Sequence, residues 1–437
     1  MSGAFRLCCF WALLCFACVQ GSAQTASITV GPTLTLEQAE SIAVANQPRI
    51  LAAQLRARSA AYRIREARSG LLPQMAFNTT GVRVADPGTS MAAGALATSS
   101  ISDRYAYGGS LAQLVTDFGR TSALVGSTRS AAEAQKDFAT LTTAQIRLEA
   151  RDAFYHVLGS EAVLRAAQAA LTNRQLIVRQ LSALARSELR STLDVNFAQV
   201  LESEAELAVV RARSEVAQQR ARLTTAMGLQ QPVSAQLVDV PAAAEQLPAG
   251  PDELLRQASA QRADLSAAQA QQRAAQQFAT AERRLSYPTL SVLGAAGELP
   301  FHDHTQHDNY AAVGVNLNVP IFNGGLFAAR RAEAETEAMA RSRDVQQLHL
   351  EVNEQVRDAW LRAEQAFQNI AVTNRLVAQA REALRLAQDR YDAGLSSIVE
   401  LNEAQLNETS AEISAADATY TYLTQRAYLD FAAGLLN

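Results

Sequence analysis

Most of this chain is written in a helical period. Val345, Leu348, Val352 and Val356, then Val377, Ala380, Leu384, Ala387 and Tyr391, recur at spacings of three and four, which lines one face of a packed helix. The pattern predicts a single helix from about Leu326 to Ala393, roughly 100 Å long at about 1.5 Å per residue. A different period precedes it. From Ala311 to Val319, Val313, Val315, Leu317 and Val319 alternate with Ala312, Gly314, Asn316 and Asn318, predicting a strand with one apolar and one polar face. Its length is that of a tilted membrane strand. Tyr105, Tyr107, Gly109 and Leu111 repeat the alternation in part, with the tyrosines placed where aromatic rings sit at a membrane–water boundary. Fainter strands fall at Gln74 to Val84 and Thr289 to Gly297. Periodicity alone fits an ordinary coiled coil carrying soluble hairpins equally well.

The chain repeats itself. Arg151-Asp152-Ala153-Phe154 matches Arg357-Asp358-Ala359-Trp360 at an offset of 206, and the same offset pairs Gly119 with Gly325, Asp194-Val195-Asn196 with Glu400-Leu401-Asn402, and Gly228-Leu229 with Gly434-Leu435. Upstream, Pro73 pairs with Pro288 at an offset of 215, so half one carries nine extra residues. They are assigned to a loop by the Ala/Ser/Gly/Pro content of Ala85 to Ser102. The predicted organisation is a first repeat over 24–230, a Pro-rich linker over 231–251 and a second repeat over 252–437. Each repeat reads as a helix, a strand pair, a very long helix, a break and a last helix.

Composition supports the helical reading: 11 prolines and 6% aromatics in 437 residues leave few breakers. The formal net charge of -4 and the single lysine, Lys136, give no basic stripe for nucleic acid. Residues 1–23 read as a secretory signal, with Arg6, an apolar run from Leu7 to Val19 and a small-residue site at Gly21-Ser22-Ala23. All four cysteines lie inside it. A mature chain starting near Gln24 would therefore have no disulfide, and lipidation at Cys18 is the competing reading of the same segment. Past the signal no apolar run spans a bilayer as a helix, so a membrane crossing must be a barrel. Four strands per chain cannot close one, and three copies supply about twelve strands.

In order, duplicated and behind a signal, the motifs resemble the TolC family of outer-membrane efflux and secretion proteins. They are Leu71-Leu72-Pro73-Gln74, Asp117-Phe118-Gly119-Arg120, Tyr287-Pro288 and Val319-Pro320-Ile321-Phe322-Asn323-Gly324-Gly325. The resemblance covers essentially the whole mature chain. It implies a mainly α fold with a membrane β-barrel part: a homotrimeric helical tunnel in the periplasm below a twelve-stranded barrel in outer-membrane lipid. Pro73, Gly119, Pro288, Pro320 and Gly325 would mark the passages between helix and barrel. It also implies a passive exit duct with no cofactor. The duct would be served by a periplasmic adaptor and an inner-membrane pump of RND, ABC or MFS type.

The same resemblance nominates site residues. The helix breaks, Ser187 to Leu193 and Ala393 to Ile398, would form the tunnel tip, with Leu189, Arg190, Ser191, Gly394, Leu395 and Ser396 as the adaptor-docking turns. Glu188 stands where the family pattern has the tip glycine of half one. Glu400 and Glu403, three apart on one helix face, would ring the periplasmic mouth with carboxylates. Like charges about 6 Å apart repel by roughly 0.7 kcal/mol in water and roughly 3 kcal/mol at an effective dielectric of 20, so the ring would attract cations. Asp194 and Tyr391 occupy the positions of a paired gate clamp, while Ser396 and Leu193 replace the arginine and polar partner that reinforce it. Outside the family pattern, His302, His304 and His307 with Asp303 and Asp308 read as a polar loop, with transition-metal ligation the sharper alternative. The sequence offers no phosphate loop and no nucleophile beside a base, which argues against an enzyme. A periplasmic coiled-coil adaptor or structural protein is the stronger rival. It would share long helices and a signal but not the duplicated helix–hairpin–helix plan.

Overall fold

The computed structural model describes residues 31–83, 103–188, 191–239, 247–302 and 307–437. The signal-like segment, the inserted loop, Leu189, Arg190, His304 and Asp303 lie outside them. In chain order the elements are β1 Thr33–Leu34, α1 Leu36–Asn46, α2 Pro48–Ser69, β2 Gln74–Val82, β3 Arg104–Thr116, α3 Arg120–Arg186 and α4 Thr192–Ala226. There follow β4 Gln236–Leu237, α5 Asp252–Gln261, α6 Ala263–Arg283, β5 Thr289–Phe301, β6 Asn309–Asn318, α7 Leu326–Asp392 and α8 Ile398–Ala432. The second series of elements repeats the first.

Helices α3 and α7 each run unbroken for 67 residues, so each is about 100 Å long. Neither contains a proline. Their seams are built from small residues, Ala359, Ala363 and Ala366 on α7 and Ala144, Ala150 and Ala153 on α3, all buried. Small seam residues let helix axes approach closely, and each long helix lies along the shorter helix that follows it. Across the repeats, α3 also packs on α6 and α8.

The first helix of each repeat departs from expectation by being two helices. Gln47, restrained by Pro48, adopts ψ 116 and ends α1. In the second repeat Arg262, with no proline beside it, adopts ψ 122 at the matching place. There the guanidinium imposes the break: it is buried and donates to Asp264, to Gln355 Oε1 at 2.8 Å and to the Ala432 carbonyl at 3.3 Å. Tertiary hydrogen bonds thus do in one half what proline chemistry does in the other.

The main core sits midway along the long helices and at the C-terminal ends of the shorter ones. Phe154, Val157, Leu158, Leu223, Met227, Tyr422 and Leu423 pack there around Leu34 and Leu237. Those two leucines belong to a short parallel pair, β1 with β4, that the sequence pattern did not reveal. Arg220 fastens the connector to this core, donating to the carbonyls of Val233 and Ala235 at 3.1 Å and to Glu161 at 2.7 Å. Trp360 Nε1 donates to the Pro248 carbonyl at 3.1 Å, tying the far end of the linker to α7.

Candidate functional site

The strands form one antiparallel sheet in the order β2-β3-β5-β6. Its register sorts the side chains. Gly294 lies opposite both Val313 and Leu111, and Leu111 lies opposite Met75. Directly opposed residues share a face, so Met75, Phe77, Tyr105, Tyr107, Leu111, Val292, Val313, Val315 and Leu317 occupy one side. The other side carries Gln74, Asn78, Ser110, Ser291, Asn316 and Asn318. The apolar side is uncovered: Val313 is 85% exposed, Met75 83% and Phe77 73%. Tyr107 and Tyr105 sit at one end of it, ring centroids 6.2 Å apart, with Phe77 beside Tyr107. The outer edges of β2 and β6 have no strand partner among the described residues. No helix of the described residues is long and apolar enough to cross a membrane.

Five motif residues stand at the passages between sheet and helices. Pro73 and Pro288 immediately precede β2 and β5, and Pro320 follows β6. Gly119 and Gly325, at φ 86 and 85, are the caps from which α3 and α7 start. Asp117 closes the first of these turns. Its carboxylate accepts from Gly119 N at 3.1 Å, Thr121 N at 2.6 Å and the Thr121 hydroxyl at 2.5 Å. Burial alone would raise this carboxyl's pKa, but the hydroxyl and amide donors outweigh it and hold the group below its ordinary value.

At the opposite end of the helices lie the two tip turns. After α7, Gly394 adopts φ 72. Its N–H donates to Tyr391 O at 3.0 Å and Leu395 N–H donates to Arg390 O at 2.8 Å, the pair of bonds that closes a Schellman turn. Leu395 is left 73% exposed. Ser191 and Ser397 then cap α4 and α8 through their hydroxyls, to Leu193 N at 3.1 Å and Glu400 N at 3.4 Å. Ser396 has its hydroxyl oxygen buried without a hydrogen-bond partner among the described residues. In half one Glu188 takes φ 59, and its N–H donates to Ala185 O at 3.1 Å, the conformation and bond that Gly394 has in half two.

The candidate gate residues gather at this end. Asp194 and Glu400 hold equivalent positions in the first turns of α4 and α8, where a carboxylate is favoured by the helix N-terminus. Tyr391 is buried with Leu181, Ala198, Ala387, Ile398 and Leu401. Glu403 is exposed. The expectation of a bare carboxylate ring needs one change, because Glu400 meets Arg390 Nε at 3.5 Å. Both partners are about half exposed, so the pair adds at most about 1 kcal/mol, but it offsets one of the two carboxylates, Glu400 and Glu403, in each chain.

One residue of this region went unseen in the sequence. Arg174 of α3 is 9% exposed and donates through Nη1 to Asn402 Oδ1 at 2.9 Å and Gln405 Oε1 at 2.6 Å, both on α8. Burial pushes its pKa down, with Glu204 opposing. The available signal was its spacing, seven residues from Ala167 and seven from Leu181, both buried: a cation in the seam of a coiled coil. Between β5 and β6, His302 Nε2 lies 2.9 Å from Asp308 Oδ1 and His307 is exposed. Among the described residues no group of three or more His, Cys, Asp or Glu is placed to hold a metal.

Residues 40–229 and 254–435 both match the outer membrane efflux protein family. The chain belongs to this family. The chain is 26% identical over 152 residues to the outer membrane protein TolC of Escherichia coli K12, a stretch covering 35% of this chain and 30% of that protein. It is 25% identical over 125 residues to TolC of Salmonella enteritidis, covering 29% of this chain and 26% of that one. The matched stretches thus span less than a third of these curated relatives. Its fold is that of the CusC channel, with a TM-score of 0.80 at 18% identity over 91% of this chain and 92% of CusC. Family and fold are those of outer-membrane channels, mainly helical with two repeated halves.

Proposed function

We propose that this efflux protein is one protomer of a homotrimeric exit duct. Its sheet would sit in the outer membrane and its helices form a tunnel in the periplasm. The observation that carries the reading is a four-stranded sheet with an exposed apolar face and two edges that have no strand partner among the described residues. Hydrocarbon offers nothing to hydrogen-bond an open edge, so β6 of one copy must pair with β2 of the next until the sheet closes. Three copies give about twelve strands, with the asparagine- and serine-bearing face turned inward toward water.

On this reading cargo is handed over by an inner-membrane pump and a periplasmic adaptor. The adaptor would dock on the turns around Ser191 and Gly394–Ser396, where Leu395 offers an exposed apolar contact. Asp194 and Tyr391 would hold the tip closed, and Glu400 and Glu403 would bias its mouth toward cations. Replacing Tyr391 with Phe is expected to raise leakage current if its hydroxyl is part of the latch.

Fractionation with planar-bilayer recording tests the whole. A detergent-resistant trimer in the outer membrane that conducts ions is the expected result. A soluble periplasmic monomer without pore activity would replace the duct with the coiled-coil adaptor.

A further inference from the structure

The polar side of the sheet carries many small residues, Ala76, Ala106, Ala112, Ala295, Ala312 and Gly314 among them. Tyr310 breaks that rule. It shares a row with Gly297, Gly108 and Asn78, one residue per strand, and is the one aromatic residue on that side among the described residues. Tyr310 belongs to β6, yet its hydroxyl lies over Gly108 of β3, two strands and about 10 Å away at the usual strand spacing. The side chain reaches that far only by lying along the sheet instead of standing off it. Gly108 is in consequence the one buried residue of β2, β3, β5 and β6.

Two glycines make the room. A Cβ on Gly108 would run into the Tyr310 hydroxyl, and one on Gly297 would come within 2.7 Å of it. The strands themselves also approach closely, since a Cβ on Gly108 would meet the Ala296 carbonyl at 2.5 Å, a common reason for glycine inside a strand. A ring laid over such a glycine covers the backbone that the missing side chain leaves bare. The internal repeat shows the arrangement to be confined to one place. At the offset of 206, Gly108 corresponds to Gly314, where a Cβ would meet nothing within 4 Å, and Tyr310 corresponds to Arg104. The pairing of ring and glycine is therefore not repeated at the matching position of half one.

We infer that Gly108 and Gly297 form a seat that holds the Tyr310 ring flat against the inner wall of the barrel, and that Tyr310 thereby sets how wide a solute the barrel passes. The inference rests on the trimeric duct proposed above, which turns this side of the sheet toward water. Three copies place three rings at one level of a wall built largely of small side chains, where they form its bulkiest belt. Rings lying flat leave the passage open. Rings lifted off the seat point toward the axis and constrict it.

Single-channel conductance in planar bilayers, together with the largest polyethylene glycol that enters the pore, reads the bore of the purified full chain. Gly108→Ala should unseat the ring, lower conductance about twofold and exclude polymers that enter the wild type. Gly108→Ala with Tyr310→Ala should recover the wild-type values or exceed them, whereas a defect confined to the close approach of β3 and β5 would persist without the ring. If Gly108→Ala does not assemble, Tyr310→Cys in the assembled trimer decides, because the chain carries no cysteine after Cys18. A bulky, water-soluble thiol reagent should attach there and lower the conductance of open channels about twofold or more. The inference is overturned by unchanged conductance in Gly108→Ala, by a double variant that conducts as poorly as the single one, or by a Tyr310→Cys channel that the reagent leaves unlabelled or unblocked. A wild-type protein that neither trimerises nor conducts sinks the duct reading itself instead.

Discussion

The two turns that lead from sheet to long helix follow one backbone path with different chemistry. In the first repeat the path is Asp117-Phe118-Gly119, in the second Asn323-Gly324-Gly325. Phe118 and Gly324 adopt φ 54 and 63, and the following glycines φ 86 and 85. The first turn is closed by three hydrogen bonds to a buried carboxylate, the second by one from Phe327 N to Asn323 Oδ1 at 3.5 Å. Half one therefore holds a phenylalanine in a strained conformation by means of a stronger cap. The ring also packs edge-on to Tyr287, centroids 6.2 Å apart. The tips repeat the lesson with Glu188 at φ 59 against Gly394 at φ 72. Conformation at these points is imposed by cap bonds and neighbours, and the residue type sets only what that conformation costs.

The sharpest way to break the comparison is to remove the caps. Asp117→Ala should cost about 3 kcal/mol, since it deletes charge-assisted bonds at a buried site, and Asn323→Ala less than about 1 kcal/mol. Thermal melting of the purified protein measures both, and equal losses would show that the first turn needs no special support. The cap also has a pH signature. The folded Asp117 carboxyl titrates below its ordinary value of 3.8, so its stabilisation is complete above that value and is lost as pH falls through the lower folded pKa. Melting temperatures of the wild type and Asp117→Asn should accordingly converge in acid and separate toward neutrality.

At the tips the expected effects are smaller and of opposite sign. Gly394→Ala places a Cβ in the left-handed region and should cost about 1–2 kcal/mol. Glu188→Gly relieves the same strain but frees the unfolded chain, for a net gain of about 0.5 kcal/mol. A loss at Glu188 would mean that its side chain has a role beyond the turn.

The last test concerns charge. Glu400→Ala with Glu403→Ala should lower cation preference in planar bilayers by a few-fold at most, because Arg390 already offsets part of the charge. Asp194→Ala, its counterpart in half one, should do less, having one carboxylate to lose. Selectivity unchanged by the double substitution would remove these glutamates from the mouth.

Much of this could be read in advance. The long helix predicted from Leu326 to Ala393 ends one residue earlier, and the breaks at both tips fall inside the expected stretches, with α4 resuming at Thr192 and α8 at Ile398. The alternation at Val313, Val315 and Leu317 located an apolar strand face that the register then extended across Met75, Leu111 and Val292. What escaped was set by contacts distant in sequence: the β1–β4 pair, the helix break at Arg262 and the Arg174 bonds to α8. No local pattern announces them, because in each case the partner lies about 90 to more than 200 residues away.

By itself the sequence determined the periodic elements, their duplication and the family, since hydrophobic period and glycine or proline punctuation act within a few residues. Only the tertiary structure decided which strands share a face, how Glu188 and Phe118 are held where glycine is the easier choice, and where a buried arginine finds its acceptors. Those outcomes depend on which groups from remote segments meet, and a buried polar group has no low-energy state until they do.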